Sequence, residues 1–293
     1  MNDTAAAPSR SPAAAILALL RPREWTKNIF VLAPLVFAGA FSNGVALYHA
    51  GVAFALFCVA ASAVYIVNDM HDIDEDRAHP VKRHKRPLAA GELSPRAALL
   101  LLFVLYGVLA LGCWMLPHAG VIVVGYVLLN IAHTYMLKLQ PVIDIFSIAI
   151  GFMLRVYAGA EAIAVPVSSW MFVTTLCLAL YLASIKRRQE LNWAGGTGRA
   201  VLQQYTAPLL DRFAQTAATG ALIFYSLFVM STRPELVVTV PFVLFGMFRY
   251  QWLVEVRALG ESPADTLLGD RQLILTVLFW LGMCLYAIGH RAA

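Results

Sequence analysis

Charged side chains are scarce in this sequence. Asp, Glu, Lys and Arg make up 13% of its 293 residues, while hydrophobic residues reach 60%. That is about half the charge of an ordinary soluble domain, too little to cover a water-facing globule, and far too apolar for a disordered chain. Cysteine is equally sparse. Cys58, Cys113, Cys177 and Cys284 stand singly in apolar stretches, which argues against both a disulfide framework and a zinc site. The seven histidines are scattered over loops and segment ends without ligand spacing. A net charge of +5 comes with no basic, aromatic-interleaved stretch, so no nucleic acid is expected as a partner. The first dozen residues also lack a long apolar run. Residues 1–18 are therefore expected to form a disordered tail, and residues 19–293 a single polytopic membrane domain.

What the chain does have is apolar runs of membrane length. A hydrocarbon core of about 30 Å needs roughly 20 apolar residues per helix. Nine segments come close, centred near Val36, Leu56, Tyr106, Tyr126, Met153, Leu176, Leu222, Phe242 and Trp280. The eighth is the weakest, because it contains Pro241 and is soon followed by Arg249. With nine spans, 19 of the 22 Lys and Arg residues fall on one side, which the positive-inside rule assigns to the cytoplasm. The expectation is an all-α integral membrane protein of the bilayer of the inner (plasma) membrane, N-terminus in the cytoplasm and C-terminus outside. External connections such as "FSNGVALYHA" and "LPHAG" are short and nearly uncharged, so the working face is expected to be cytoplasmic.

Charge concentrates in "YIVNDMHDIDEDRAHPVKRHKRPLAAG", Tyr65 to Gly91, which carries five carboxylates and then a dense set of cations. At about 100° per residue, Asn68, Asp69, Asp72 and Asp76 share one helical face, with Asp74 pointing away and Glu75 beyond the edge. Three carboxylates in register at a membrane boundary repel one another, and a hard cation relieves that repulsion. Oxygen ligands so spaced suit Mg2+ bridging to a diphosphate, with Asp69, Asp72 and Asp76 as metal ligands and catalytic groups, and Asn68 beside them. The other reading is a hydrophilic loop whose acids balance "KRHKR". Arg77 and Lys85 are the preferred phosphate ligands among the cations, since a diphosphate next to the acids lies within their reach.

After the sixth span comes "YLASIKRRQELNW". Lys186 and Glu190 are one turn apart, which fits an ordinary ion pair; it fits equally a phosphate site in which Lys186 and Arg187 donate and Glu190 orients them or meets a metal. In the fifth span Asp144 and Arg155 return to nearly the same face. Arg155 lies well inside an apolar segment, where a charge costs at least about 2.5 kcal/mol without a partner, so it either pairs with another helix or binds an anion in a cavity. Lys27, at the start of the first span, is a further candidate for phosphate contact, and Tyr135 and Lys138, at the end of the fourth, offer further polar contacts.

These residues resemble the UbiA-type membrane prenyltransferases, nine-helix enzymes with an "NDxxDxxxD" motif after the second helix. Asn68, Asp69, Asp72 and Asp76 match it in full. Where aromatic prenyltransferases of the family have a second "DxxxD" motif after the sixth helix, this chain has "KRRQEL". That departure, with "LRPREWTKN" and "DIFSIAIGFMLRVYAGA", is similar to the decaprenyl-phosphate phosphoribosyltransferase branch. The resemblance implies a UbiA-like helical bundle and a Mg2+-dependent transfer of 5-phosphoribose from phosphoribosyl diphosphate to a polyprenyl phosphate lipid. Diphosphate would be released and a precursor of a cell-envelope polysaccharide such as arabinan formed. It implies Asn68, Arg77, Lys85, Lys186, Arg187 and Glu190 around the donor, and Lys27, Tyr135, Lys138 and Arg155 around the acceptor. Two rivals keep most of these features: a prenyltransferase with an aromatic or quinone acceptor, and a transporter, which would need a polar path to both faces. Association into a homo-oligomer is left open.

Overall fold

The computed structural model describes residues 10–194, 200–257, 259–260 and 263–292. Among these the chain is helical throughout, with no strand. Helix α1 covers Pro12–Leu20, and a 3-10 segment Pro22–Leu32 leads into the short α2, Ala33–Phe37. The long helices are α3 (Gly44–His71), α6 (Pro95–Met115), α7 (Pro117–Tyr135), α8 (Ile143–Ala162), α9 (Ser169–Ala194), α10 (Ala207–Thr232), α11 (Val240–Arg257) and α13 (Arg271–Ala292). Short helices α4 (Ile73–Ala78), α5 (Lys82–Lys85) and α12 (Pro263–Gly269) lie in the connections.

Helix starts are written locally. Asn43 Oδ1 accepts from the backbone N–H groups of Val45 and Ala46 at the head of α3. Ser94 and Thr206 cap α6 and α10 in the same manner, each followed within two residues by a proline whose missing N–H is harmless there.

Eight helices among the described residues are long and apolar enough to cross a membrane. The expected weak span around Phe242 is one of them, begun by a 3-10 turn at Pro234. The expected first span, around Val36, is not. Its helix breaks at Arg21, which is left-handed ahead of Pro22. It winds as 3-10 to Leu32, restarts as α at Ala33, and ends at Phe37 ahead of Gly39 with φ +73°. At about 2.0 Å per 3-10 residue and 1.5 Å per α residue, Pro22 to Phe37 still reaches roughly 30 Å.

The tail also differs from expectation. Residues 1–9 lie outside the described part, but Pro12–Leu20 is helix, capped by Ser11, with Ala15 and Leu19 fully buried against the bundle. Its alanine and leucine residues form an apolar packing face.

Helix α3 is the most enclosed of the spans, and α6 and α13 are the most exposed. Around α3 the small residues Ala53, Ala60 and Ala63 let neighbours close in, and Leu56 and Phe57 pack with Leu109, Val123 and Tyr126. Phe103, Trp114 and Phe279 stay uncovered on the outer helices, as lipid contact requires. Antiparallel alternation then brings the ends of α3, α7 and α9 and the start of α8 to one end of the bundle. Nearly all the charge meets there.

Candidate active site

Helix α3 ends at His71 because Asp72 leaves helical geometry, yet the backbone bonds Asp72 N–H to Asn68 and Asp76 N–H to Asp72 carry the turn on into α4. The expected register therefore survives the break. Asp69, Asp72 and Asp76 are buried, while Asp74 and Glu75 face out. Asn68 Nδ2 donates to Asp72 Oδ2 at 3.0 Å and its carbonyl oxygen accepts from Thr134 at 3.4 Å, fixing the motif against α7.

Each acid meets a cation from a different part of the chain. Arg21 and Arg86 converge on Asp69 Oδ1, the latter at 3.6 Å. Lys138 reaches Asp72 at 2.8 Å, and Lys82 reaches Asp76 at 3.2 Å. His71 Nδ1 lies 2.7 Å from Asp72 Oδ1 and its ring packs edge-on against Tyr135, centroids 4.6 Å apart. Burial would raise the Asp72 carboxyl, but Lys138 and His71 outweigh it and hold it below the usual carboxylate range.

Among the cations that follow the acids, Arg77 turns outward to the exposed Asp74 and Lys85 is exposed, while Lys82, at the start of α5, and Arg86, just past its end, meet the acids. Lys138, expected beside an acceptor, sits on the acidic cluster itself.

On α9 the expected basic pair divides. Lys186 Nζ lies 3.9 Å from Glu190. Arg187 is buried, its Nε donating to Asp144 Oδ2 at 2.6 Å and a terminal nitrogen to Glu190 at 2.5 Å. Tyr205 donates to the other Asp144 oxygen at 2.6 Å. Arg187 thereby ties α8 to α9, while Lys186, one residue earlier, stays partly exposed beside Glu190.

Arg155 does not share a partner with Asp144. Its guanidinium donates to Asn28 Oδ1 (2.8 Å), the Gly151 carbonyl (2.9 Å) and the Tyr126 hydroxyl (2.9 Å), and lies over the rings of Tyr126 and Phe152. None of these partners is a carboxylate. The cation is buried and solvated by neutral groups, so its field is available to an anion. The 3-10 segment brings Asn28 there because Gly159 of α8 has no side chain: a methyl at that position would strike the Val31 carbonyl.

The same segment carries Glu24, which the sequence reading passed over. Trp25 Nε1 donates to Ser62 at 3.0 Å and pins the segment to α3. Lys27 pairs with Glu24, and Glu24 also accepts from the Tyr65 hydroxyl at 3.1 Å. The i, i+3 spacing of Glu24 and Lys27 was visible; the meeting with Tyr65, 41 residues on, was not.

The acidic cluster suits Mg2+ by one direct test. Asp69 Oδ2 is buried and has no hydrogen-bond partner, an acceptor turned inward beside two more carboxylates. Among the described residues no three His, Cys, Asp or Glu side chains close around a metal by themselves. An open set of carboxylates suits an ion that completes its shell with water and phosphate oxygens.

With this geometry in hand, the comparisons decide the family. The UbiA prenyltransferase family model matches residues 28–266. The chain belongs to the UbiA prenyltransferase family. Its curated UbiA relatives include decaprenyl-phosphate phosphoribosyltransferases. One from Mycobacterium tuberculosis is 35% identical, covering 96% of each chain, and one from Corynebacterium glutamicum is 34% identical over 96% of this chain and 89% of its own. The fold matches a UbiA homolog from Archaeoglobus fulgidus bound to GPP and Mg2+, with TM-score 0.72 at 20% identity, over 94% of this chain and 99% of that one.

Proposed function

We propose that this UbiA-family membrane transferase moves 5-phosphoribose from phosphoribosyl diphosphate to a polyprenyl phosphate, releasing diphosphate, at the cytoplasmic face of the inner membrane. The carrying observation is the pairing of unlike charge groups. Buried carboxylates at the end of α3 face one way, and in place of a second acidic motif α9 presents Lys186 beside a neutralised Arg187. A donor with a diphosphate at one end and a separate phosphate at the other matches that division; a prenyl diphosphate has nothing for the second group. The names of the relatives support the same reading.

The reaction breaks the bond from ribose C1 to the diphosphate oxygen and forms one from C1 to a phosphate oxygen of the lipid. Asp69, Asp72 and Asp76 would hold Mg2+, which when bound neutralises negative charge on the departing diphosphate. Arg21, Lys82, Arg86 and Lys138 stand where they can exchange their carboxylate partners for phosphate oxygens. Lys186 would bind the 5-phosphate, with Glu190 and Arg187 setting its position. Arg155 and Lys27, with Tyr135 at the rim, would orient the lipid phosphate. That phosphate is already an anion at neutral pH, so no general base is required and positioning carries most of the rate.

The test is purified protein with Mg2+, radiolabelled phosphoribosyl diphosphate and a polyprenyl phosphate, following label into the organic phase. Transfer that disappears with chelator and with Lys186→Ala supports the reading. Absence of transfer, in a preparation stabilised by a prenyl diphosphate and not by phosphoribosyl diphosphate, overturns it in favour of a prenyl donor.

A further inference from the structure

A site that handles phosphates is ordinarily lined with cations and with acids that metal ions neutralise. Glu24 is neither. It projects from the 3-10 segment, 31% exposed, and both of its hydrogen bonds among the described residues, from Lys27 and from the Tyr65 hydroxyl, fall on the same oxygen, Oε2. Tyr65 is one turn before Asp69 on α3, and its ring lies 4.6 Å under the Arg21 guanidinium that bonds Asp69. Contacts therefore run from Asp69 through Arg21 and Tyr65 to Glu24 and Lys27. Glu24 lies beside the acidic cluster, joined to it through Tyr65 and Arg21.

On the proposed donor, the part between the diphosphate and the 5-phosphate is a furanose ring with 2- and 3-hydroxyls. Those hydroxyls are hydrogen-bond donors, and an ionised carboxylate is an acceptor only. Lys27 pairs with the Glu24 carboxylate, so Glu24 meets a ligand as a charged acceptor. Against a prenyl chain the same carboxylate would be desolvated with nothing to accept from, which penalises that donor. We propose that Glu24 accepts the ribose hydroxyls of the donor and thereby selects a phosphoribosyl over a prenyl substrate, with Lys27 and Tyr65 as its positioning residues. This rests on the function proposed above and names the residue that would enforce it.

The experiment measures displacement of labelled phosphoribosyl diphosphate from the full chain by ribose 5-phosphate, by 2-deoxyribose 5-phosphate, and by inorganic diphosphate with Mg2+. In the wild type, the deoxy sugar should need a concentration about 10- to 100-fold higher than the ribose, the worth of a hydrogen bond to a charged group. In Glu24→Gln that ratio should fall below about 3-fold while displacement by diphosphate is unchanged. A ratio that persists in Glu24→Gln, or is absent from the wild type, overturns the proposal. Should the Gln variant lose diphosphate binding, Glu24→Asp carries the comparison. It keeps a charge for Lys27 but withdraws the carboxylate by one carbon, and full discrimination in that variant is equally fatal. A wild type that does not bind phosphoribosyl diphosphate at all sinks the function itself, a different outcome from binding without discrimination.

Discussion

Arg187 and Asp144 form an ion pair, Nε to Oδ2 2.6 Å, between neighbouring helices with both side chains almost sealed from solvent. Removing Arg187 leaves the buried Asp144 with the Tyr205 hydroxyl but no opposite charge, and breaking a buried pair in this way costs about 3–5 kcal/mol. Arg187→Ala should therefore lower the melting temperature sharply. The double variant Arg187→Met with Asp144→Leu should recover much of the loss, measured in the same detergent. A single variant with native stability would show that the pair does not hold α8 to α9.

The acids of the motif divide by burial, and activity should divide the same way. Asp69→Asn or Asp72→Asn is expected to reduce transfer by about 100-fold or more, roughly 2.7 kcal/mol of transition-state stabilisation. Asp74→Asn and Glu75→Gln, one or two residues away on the exposed side, should stay within about twofold. Equal losses in both sets would remove the case for a metal-binding face.

Asp270 precedes α13, where its Oδ1 accepts from the Leu273 N–H at 2.9 Å and its carboxylate takes two bonds from Arg249, at 3.2 and 2.7 Å. The hydrogen bonds from Arg249 hold its carboxyl below the usual range, against a smaller upward push from burial. With the folded value depressed, its stabilisation is complete above the unfolded value of about 4 and disappears as pH falls through the folded one. Asp270→Ala should thus destabilise at neutral pH, by about 1 kcal/mol as for other helix caps, and the gap to wild type should narrow below about pH 4. Denaturant midpoints measured across that range check it, and a gap independent of pH would refute it.

Gly159 allows the carbonyl of Val31 to touch α8. Gly159→Leu should push the 3-10 segment outward and part Asn28 from Arg155. The expected result is a lower melting temperature together with a raised KM for the lipid acceptor. An unchanged KM would detach Arg155 from acceptor binding.

Much of the site could be read before any coordinates. Asn68, Asp69, Asp72 and Asp76 share a face because helical periodicity is local, and the chain keeps its turn through the break at Asp72. The cations could not be read so. "KRHKR" offers several within a few residues, and which of them reach the acids depends on how the connection folds back: Lys82 and Arg86 do, Lys85 and Arg77 do not. Nor could the pairing of Arg187 with Asp144 be read, because 43 residues separate them, beyond the reach of any spacing rule.

By itself the sequence determined a helical membrane protein with its charge gathered at one end and three carboxylates in register on one helical face. Run length, loop charge and a 3.6-residue period are properties of neighbouring residues and survive without a tertiary context. The tertiary structure decided the partners. Arg155 finds Asn28 across 127 residues, and Glu24 finds Tyr65 across 41, because the broken first segment packs between α3 and α8. A buried charge takes whichever polar group helix packing delivers, and that delivery is set by the shapes of whole helices rather than by the order of residues along one of them.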